Sequence, residues 1–119
     1  MAMVSQLELP GSPTEQASAG ATTYYWDPTA ELAAGETISN PVVLVLEYDP
    51  RYPADTKDVT ATVAAAGSPF LGRGANAGQV GVTIPANVLV AGYEYRVQLS
   101  VLASGGHAPV RFFRLRCQL

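Results

Sequence analysis

The stretch YEYRVQLSV, residues 93–101, decides the fold class of this chain. Bulky apolar or aromatic residues alternate with polar ones along its whole length. The first set is Tyr93, Tyr95, Val97, Leu99 and Val101, and the second is Glu94, Arg96, Gln98 and Ser100. Because successive side chains of a β-strand point to opposite faces, the pattern predicts a strand with one buried face and one wet face. Such a strand is typical of an antiparallel sheet packed on one core.

Similar segments recur between turn residues on both sides of this stretch. The sequence predicts further strands at residues 22–26, 36–39, 42–48, 59–63, 80–84 and 110–119. The strand at 42–48 is so apolar that we expect it to be buried on both faces or to lean on a helix. Asp27 followed by Pro28 predicts the start of one or two helical turns, which Gly35 ends. The predicted fold class is all-β, an immunoglobulin-like β-sandwich of about seven antiparallel strands with one short helical turn.

Residues 1–21 contain few large apolar side chains, and several glycines, prolines and serines. This composition predicts an extended N-terminal arm, followed by the sandwich at residues 22–119. Residues 3–9 alternate at period two, so we expect something outside the arm's own domain to hold it in place. The apolar side chains expected to contact a neighbouring subunit are Met3, Val4, Leu7 and Leu9.

The overall composition is that of one soluble globular domain of 119 residues, with 48% hydrophobic and 14% charged residues. The longest apolar run, VVLVL at residues 42–46, is far shorter than the ~20 residues of a membrane span, so no membrane partner is expected. The first residues do not resemble a secretory signal, which favours synthesis in a cytoplasm. The single cysteine, Cys117, excludes an intrachain disulfide and offers no zinc-type spacing.

Charge is divided unevenly along the chain. Residues 1–58 hold nine acidic and two basic residues, a net charge of −7, and residues 59–119 hold one acidic and five basic residues, a net charge of +4. The opposite charges of the two halves either neutralise each other across adjacent strands or give the surface a charge asymmetry that orients neighbouring copies of the protein. The acidic total disfavours a nucleic-acid partner. The arginines predicted on the outer face of the last two strands are Arg96, Arg114 and Arg116, and their expected partners are Glu36, Glu47, Asp58 or acids of another subunit.

No motif in the sequence indicates catalysis. The chain lacks G-x-S-x-G, H-E-x-x-H and C-x-x-C motifs, and GRGANAG at residues 72–78 lacks the lysine and the following helix of a phosphate loop. His107 lies in a Gly-Gly turn, and we expect it to be an exposed loop histidine with no acidic or cysteine neighbour to pair with. Cys117 shares the inner face of its strand with Phe113 and Leu115. The sequence therefore predicts a protein that is not an enzyme, with no catalytic, cofactor-binding or metal-binding residues.

Two segments carry a resemblance to a known family. YYWDPTAELAAGETIS, residues 24–39, resembles the aromatic-Asp-x-x-x-x-Leu-x-x-Gly-[Asp/Glu]-Thr-Ile segment of small immunoglobulin-like tail accessory proteins of tailed bacteriophages, of the fibre-tail adaptor type. LVAGYEYRVQLSVLASGGHAPVRFFRLRC, residues 89–117, is similar to the second half of those proteins. The resemblance implies that Leu32 and Ile38 lie in the core, that Gly35 meets a backbone requirement, and that Tyr95 bonds back to the loop before its strand.

The resemblance also implies a function. It favours a non-enzymatic structural protein of the virion, made in the cytoplasm of the bacterial host, that binds tail, connector or capsid subunits and copies of itself. The arm before Thr22 and the segment PRYP at residues 50–53 depart from the family pattern, so capsid decoration is an alternative to tail attachment. A further alternative is a carbohydrate or host-surface binding module that uses the loop at residues 67–79 or the aromatic side chains of Tyr24, Tyr25 and Trp26.

Overall fold

The computed structural model describes residues 8–9, 12–17 and 19–118. Their strands are β1 Thr14–Ala17, β2 Thr22–Trp26, β3 Ile38–Tyr48, β4 Lys57–Asp58, β5 Phe70–Leu71, β6 Val80–Ile84, β7 Glu94–Ala103 and β8 Val110–Gln118. One α-helical turn spans Thr60–Val63, and short 3-10 helices span Pro28–Glu31 and Gly74–Asn76. The all-β class predicted from the sequence is confirmed.

The strands form two sheets. The larger sheet has the order β1-β8-β7-β3-β4, and the smaller sheet has the order β2-β6-β5. Every pairing of neighbouring strands is antiparallel except that of β1 with β8, which is parallel. The expectation of only antiparallel strands is therefore wrong at this one edge.

The core lies between the two sheets. Strand β7 contributes Tyr95, Val97, Leu99 and Val101, whose side chains are at most 2% exposed. Strand β6 contributes Val80, Val82 and Ile84, and β8 contributes Phe113 and Leu115. The alternation predicted for residues 93–101 is thus confirmed from Tyr95 onward. Tyr93 precedes the strand and is 39% exposed, so the inner face begins two residues later than predicted.

Strand β3 is less buried than the sequence predicted. Val45 is completely buried, whereas Val42 is 56% exposed. Of the two expectations for residues 42–48, burial on both faces is wrong, because β3 belongs to an antiparallel sheet whose outer face is turned to solvent. Contact with a helix is found at Val45, whose amide donates to Thr60 of the helical turn. Its apolar composition reflects β-propensity as well as burial.

The predicted strand at residues 59–63 is a helical turn instead. Asp58 Oδ1 accepts hydrogen bonds from the Thr60 amide at 3.0 Å and from its hydroxyl at 2.7 Å. Thr60 Oγ1 in turn accepts a 2.8 Å bond from the Val45 amide. These side-chain contacts with the backbone outcompete the β-preference of alternating valine and threonine residues. The turn also places Val63 in the core, with 1% of its surface exposed.

The helical turn predicted after Asp27 is confirmed. Asp27 Oδ1 accepts a 3.0 Å hydrogen bond from the Thr29 amide, and Pro28 occupies the first turn of the 3-10 helix. The predicted end at Gly35 is wrong, because the helix ends at Glu31 and Leu32 is its C-cap. Gly35 instead adopts a φ of 82° in the turn that follows, in the left-handed region that favours glycine. The core position implied for Ile38 is borne out in part, because Ile38 is half-buried and packs against the core cluster.

Part of the predicted arm belongs to the sandwich of its own chain. Strand β1 pairs with β8 from Thr14, which lies opposite Leu115, to Ala17. Gln16 is 4% exposed, and its amide donates to the carbonyls of Gly20 at 2.8 Å and Ile84 at 3.2 Å. The expectation that another chain holds the arm is wrong for these residues, because a small polar segment can still supply main-chain hydrogen bonds to a sheet edge.

The four apolar side chains expected to contact a neighbour have different outcomes. Leu9 donates its amide to the Phe112 carbonyl at 2.8 Å and packs against the core of its own chain. The prediction that Leu9 contacts another subunit is therefore wrong. Leu9 lies against its own chain, because the main chain of residues 8–9 pairs with the edge of β8 at Phe112. Met3, Val4 and Leu7 lie outside the described residues, and their role stays a prediction.

Candidate interaction surface

The outer face of the larger sheet collects the arginines that the sequence singled out. In the register of β7 and β8, Arg96 lies opposite Arg114, and Glu94 lies opposite Arg116. Directly opposed residues in an antiparallel pair have Cβ atoms about 4.5–5.5 Å apart. We call the patch formed by Arg96, Arg114 and Arg116 the arginine face. The prediction that one side of the sheet gathers these three guanidinium groups is confirmed.

Two of the three arginines form ion pairs within the chain. Arg114 Nε lies 2.6 Å from Glu8 Oε2, and Arg116 Nε lies 2.9 Å from Glu94 Oε2. The acids that the sequence analysis named as intrachain partners, Glu36, Glu47 and Asp58, form none of these pairs. The expectation named the wrong acids, because strand register sets Glu94 of β7 opposite Arg116, and Glu8 lies beside β8 at the edge of the sheet.

Arg96 differs from its two neighbours. Its guanidinium carbon lies 4.1 Å from the centroid of the Phe112 ring, which is a cation–π contact. Among the described residues no side chain or carbonyl accepts a hydrogen bond from Arg96, and its Nε atom is buried without a partner. Phe112 points to the outer face and yet is only 5% exposed. The arginine face therefore combines a covered aromatic ring with a guanidinium that has no acidic contact.

Glu8 and Ser12 hold the start of the described chain against this face. Burial raises the pKa of the Glu8 carboxyl. Hydrogen bonds from Ser12 and Arg114 and the charge of Arg114 lower it by more than burial raises it, so the pKa lies below its usual value. Ser12 donates its hydroxyl to Glu8 and accepts a 2.8 Å bond from the Arg114 amide. Glu8 is thus an ionised carboxylate that, together with Ser12, contacts Arg114 of β8.

A groove of about 510 Å³ runs over the arginine face. One wall comes from β3 and the loop that follows it, and the charged floor comes from the segment around Glu8 and from β7 and β8. The lining residues are Glu8, Leu46, Tyr48, Pro50, Pro53, Thr56, Glu94, Arg96, Phe112 and Arg114. Tyr48 donates a 3.0 Å hydrogen bond to Glu94, and burial together with this contact raises the pKa of Tyr48 to about 12. The groove offers apolar surface beside both signs of charge.

The aromatic residues considered for carbohydrate binding do not share a face. Trp26 is 3% exposed and belongs to the core. Tyr24 packs on Phe113 with ring centroids 5.0 Å apart, whereas Tyr25 meets Phe70 edge-on at 6.0 Å. Because successive residues of β2 alternate between faces, the Tyr25 side chain points away from those of Tyr24 and Trp26, although all three residues line one groove at the side of the sandwich.

A second groove, of about 430 Å³, opens at the side of the sandwich. It lies where β1 and β2 diverge, and Leu9, Trp26 and Phe113 are among its lining residues. At the other end of this gap, Gln16 accepts a 2.8 Å hydrogen bond from the Tyr24 hydroxyl and so links the two sheets. This side groove exposes the margin of the core without any charged cluster.

The histidine and the cysteine have structural surroundings. His107 is exposed, as predicted, but its Nδ1 lies 3.7 Å from Glu36 Oε2, so the expectation that it lacks an acidic neighbour is wrong. Glu36 also accepts a 2.9 Å bond from the Gly105 amide, which connects the β7–β8 turn to the segment before β3. Cys117 points inward, as predicted, and is half-buried against the core cluster.

In residues 8–9, 12–17 and 19–118, no group of three or more histidine, cysteine, aspartate or glutamate side chains is arranged to hold a metal ion. None of the helices in the described part of the chain is long and apolar enough to cross a membrane. No family model, curated protein or solved structure matches this chain.

Proposed function

We propose that this chain is a non-enzymatic structural protein of a tailed-bacteriophage virion, which attaches to neighbouring subunits through its arginine face. The observation that carries the proposal is the concentration of three arginines, a covered phenylalanine and a groove on one solvent-facing side of the sandwich. Arginine and aromatic residues are enriched in the centres of protein interfaces, where lysine and glutamate are depleted. Tail or fibre attachment is the primary role in this proposal, and capsid decoration is the alternative.

The strand order supports an immunoglobulin-like sandwich of the variable type. Strands β2, β6 and β5 correspond to B, E and D of that fold, and strands β8, β7, β3 and β4 correspond to G, F, C and C′. The order along the chain agrees as well. Tyr95 near the start of β7 bonds back to Val90, as a corner tyrosine of this fold does. This assignment agrees with the resemblance seen in residues 24–39 and 89–117.

Electrostatics explain how such a face would orient a partner. Arg114 and Arg116 are each paired, but their side chains remain 36% and 46% exposed. Each pair uses only the Nε atom of its arginine, so the remaining N–H groups of the guanidinium can bind a further acceptor. A neighbouring subunit with acidic groups can therefore compete for these guanidinium groups, and the fixed pattern of charges selects its orientation.

The experiment measures the chain in particles of the bacteriophage that encodes it. Quantitative mass spectrometry of purified virions gives the copy number, and cryo-electron microscopy gives the location on tail or capsid. We expect a defined copy number for the wild type and for Arg73→Ser, which changes an exposed arginine outside the groove lining. The triple variant Arg96→Ser, Arg114→Ser, Arg116→Ser is expected to be depleted. Absence of the wild-type chain from virions would overturn the proposal, as would normal incorporation of the folded triple variant.

A further inference from the structure

The charges on the arginine face do not balance within the described chain. Its three guanidinium groups meet two carboxylates, and each carboxylate pairs with a different arginine, Glu8 with Arg114 and Glu94 with Arg116. Arg96 is the one left over, although it lines the groove together with Glu94 and with Arg114, which lies opposite it. Its charge helps to lower the pKa of Glu8 through space, but among the described residues it forms no ion pair of its own.

The surroundings of Arg96 make its position costly in isolation. Arg114 lies directly opposite on β8, and like charges at opposed positions destabilise a sheet. The Nε–H donor of Arg96 is buried without an acceptor among the described residues, and a buried donor of a charged group carries a desolvation penalty. An acidic group beside the guanidinium would offset the repulsion between Arg96 and Arg114.

The Phe112 ring restrains the orientation of the Arg96 guanidinium. The guanidinium stacks at 4.1 Å from the ring centroid, so its orientation is restrained before anything binds. A restrained guanidinium presents its N–H groups in the planar fork that matches a carboxylate. Less side-chain entropy is then lost on binding than with a freely rotating arginine.

We propose that the groove binds a glutamate or aspartate side chain on an extended segment of a neighbouring virion protein, with the carboxylate accepting hydrogen bonds from Arg96. Residues beside that acid would pack on the apolar wall formed by Leu46, Pro50 and Pro53. The inference rests on the proposed function only in taking the partner to be another virion protein.

The charge of the groove favours a carboxylate over a phosphate. Glu8 and Glu94 line the same groove as Arg96, and their negative charges repel any anion that binds there. Because a phosphate group carries more negative charge than a carboxylate, this repulsion penalises it more strongly. A single acidic side chain can be accommodated with the existing ion pairs intact.

The test uses the full chain labelled with ¹⁵N and the peptide acetyl-Ala-Pro-Glu-Pro-Ala-amide, with glutamine in place of glutamate in a control peptide. The Nε–H resonance of Arg96 is identified by its loss in Arg96→Lys. We expect the glutamate peptide to shift this resonance and the glutamine peptide to leave it unchanged. Affinity should fall roughly tenfold or more in Arg96→Gln, the loss expected for one hydrogen bond to a charged group, and stay unchanged in Arg73→Gln.

Several outcomes decide the matter. An equal response to both peptides would overturn the inference, and so would a resonance that moves with inorganic phosphate but not with the glutamate peptide. Amide spectra of each variant establish that it is folded, and Arg96→Lys, which keeps the charge but loses the fork, should bind more weakly than the wild type. Glutamate-specific binding by a chain that virions lack would overturn the proposed function alone. A chain that is present in virions but shows no glutamate-specific binding would overturn this inference alone.

Discussion

The hydroxyl of Tyr95 donates a 2.7 Å hydrogen bond to Glu47 Oε2. The Tyr95 hydroxyl oxygen also accepts a 2.8 Å hydrogen bond from the Val90 amide in the loop before β7. One completely buried phenol thus joins β7, β3 and the connection between the two sheets. Burial, followed by the contact with Glu47, raises the pKa of Tyr95, so the phenol is protonated throughout the neutral range.

Replacing Tyr95 with phenylalanine should lower the free energy of unfolding by about 1–3 kcal/mol, because the Val90 amide loses its acceptor and Glu47 its donor. Tyr93→Phe is the matched control, since Tyr93 is 39% exposed and precedes the strand. Urea unfolding followed by far-UV circular dichroism measures both variants. Equal stability of the two would show that the Tyr95 bonds contribute nothing net.

Stability should fall in alkali as the pH rises past 10.0, the usual pKa of tyrosine. The folded state raises the pKa of both Tyr48 and Tyr95, so above the usual value the unfolded chain releases protons that the folded chain retains. Denaturant midpoints measured from neutral to alkaline pH check this. The variants Tyr48→Phe and Tyr95→Phe should each show a shallower decline, whereas parallel curves would contradict the assignment.

Acid should loosen the segment that Glu8 tethers. The pKa of Glu8 is depressed in the folded state, so its contribution is present above the usual value of 4.5 and is lost as the pH falls through the lower folded value. Hydrogen exchange of the Leu9 amide, which bonds to the Phe112 carbonyl, reports on this contact. Relative to a core amide such as Val97, we expect its protection to decrease in acid. Glu8→Gln should lower that protection at neutral pH and remove the dependence.

Gln16 should be needed for stability even though it belongs to the segment predicted as an arm. Gln16→Ala removes the hydrogen-bond partner of the Gly20 and Ile84 carbonyls and of the Tyr24 hydroxyl, at a cost of about 1–3 kcal/mol. Glu15→Ala, on the exposed side of the same strand, is the control and should change little. Thermal unfolding compares the two, and a neutral Gln16→Ala would mean that β1 is dispensable.

The double variant Arg114→Ser, Arg116→Ser should affect assembly more than folding. Its melting temperature should change little through Arg114, because a partly exposed ion pair contributes only about 0–1 kcal/mol. The Arg116 change should contribute more of the loss, because Glu94 is only 8% exposed and keeps only the Tyr48 hydroxyl as a side-chain partner among the described residues. Incorporation into virions should decrease, and the remaining assembly should weaken further as sodium chloride is added. A variant that melts much earlier but assembles normally at every salt concentration would show that these arginines serve the fold alone.

Local patterns in the sequence predicted local features correctly. The alternation from Tyr95 to Val101 and the cap formed by Asp27 with Pro28 depend on neighbouring residues only, so they could be found without a structure. The outward direction of Arg96 followed from the same period of two. Residues 59–63 show where this reasoning fails, because the hydrogen bonds of Asp58 and Thr60 outweigh a strand-like pattern.

The sequence by itself determined the all-β class, the inner and outer faces of the last two strands, and the presence of three arginines on one of them. Only the tertiary structure decided that β1 pairs with β8 and that Glu8 reaches Arg114 across 106 positions of the chain. It also decided that the Arg96 Nε atom has no hydrogen-bond partner in the described part of the chain. The physical reason is that a side chain's face follows from the period of its own strand. Its partner depends on sheet order and register, which arise from packing between distant segments.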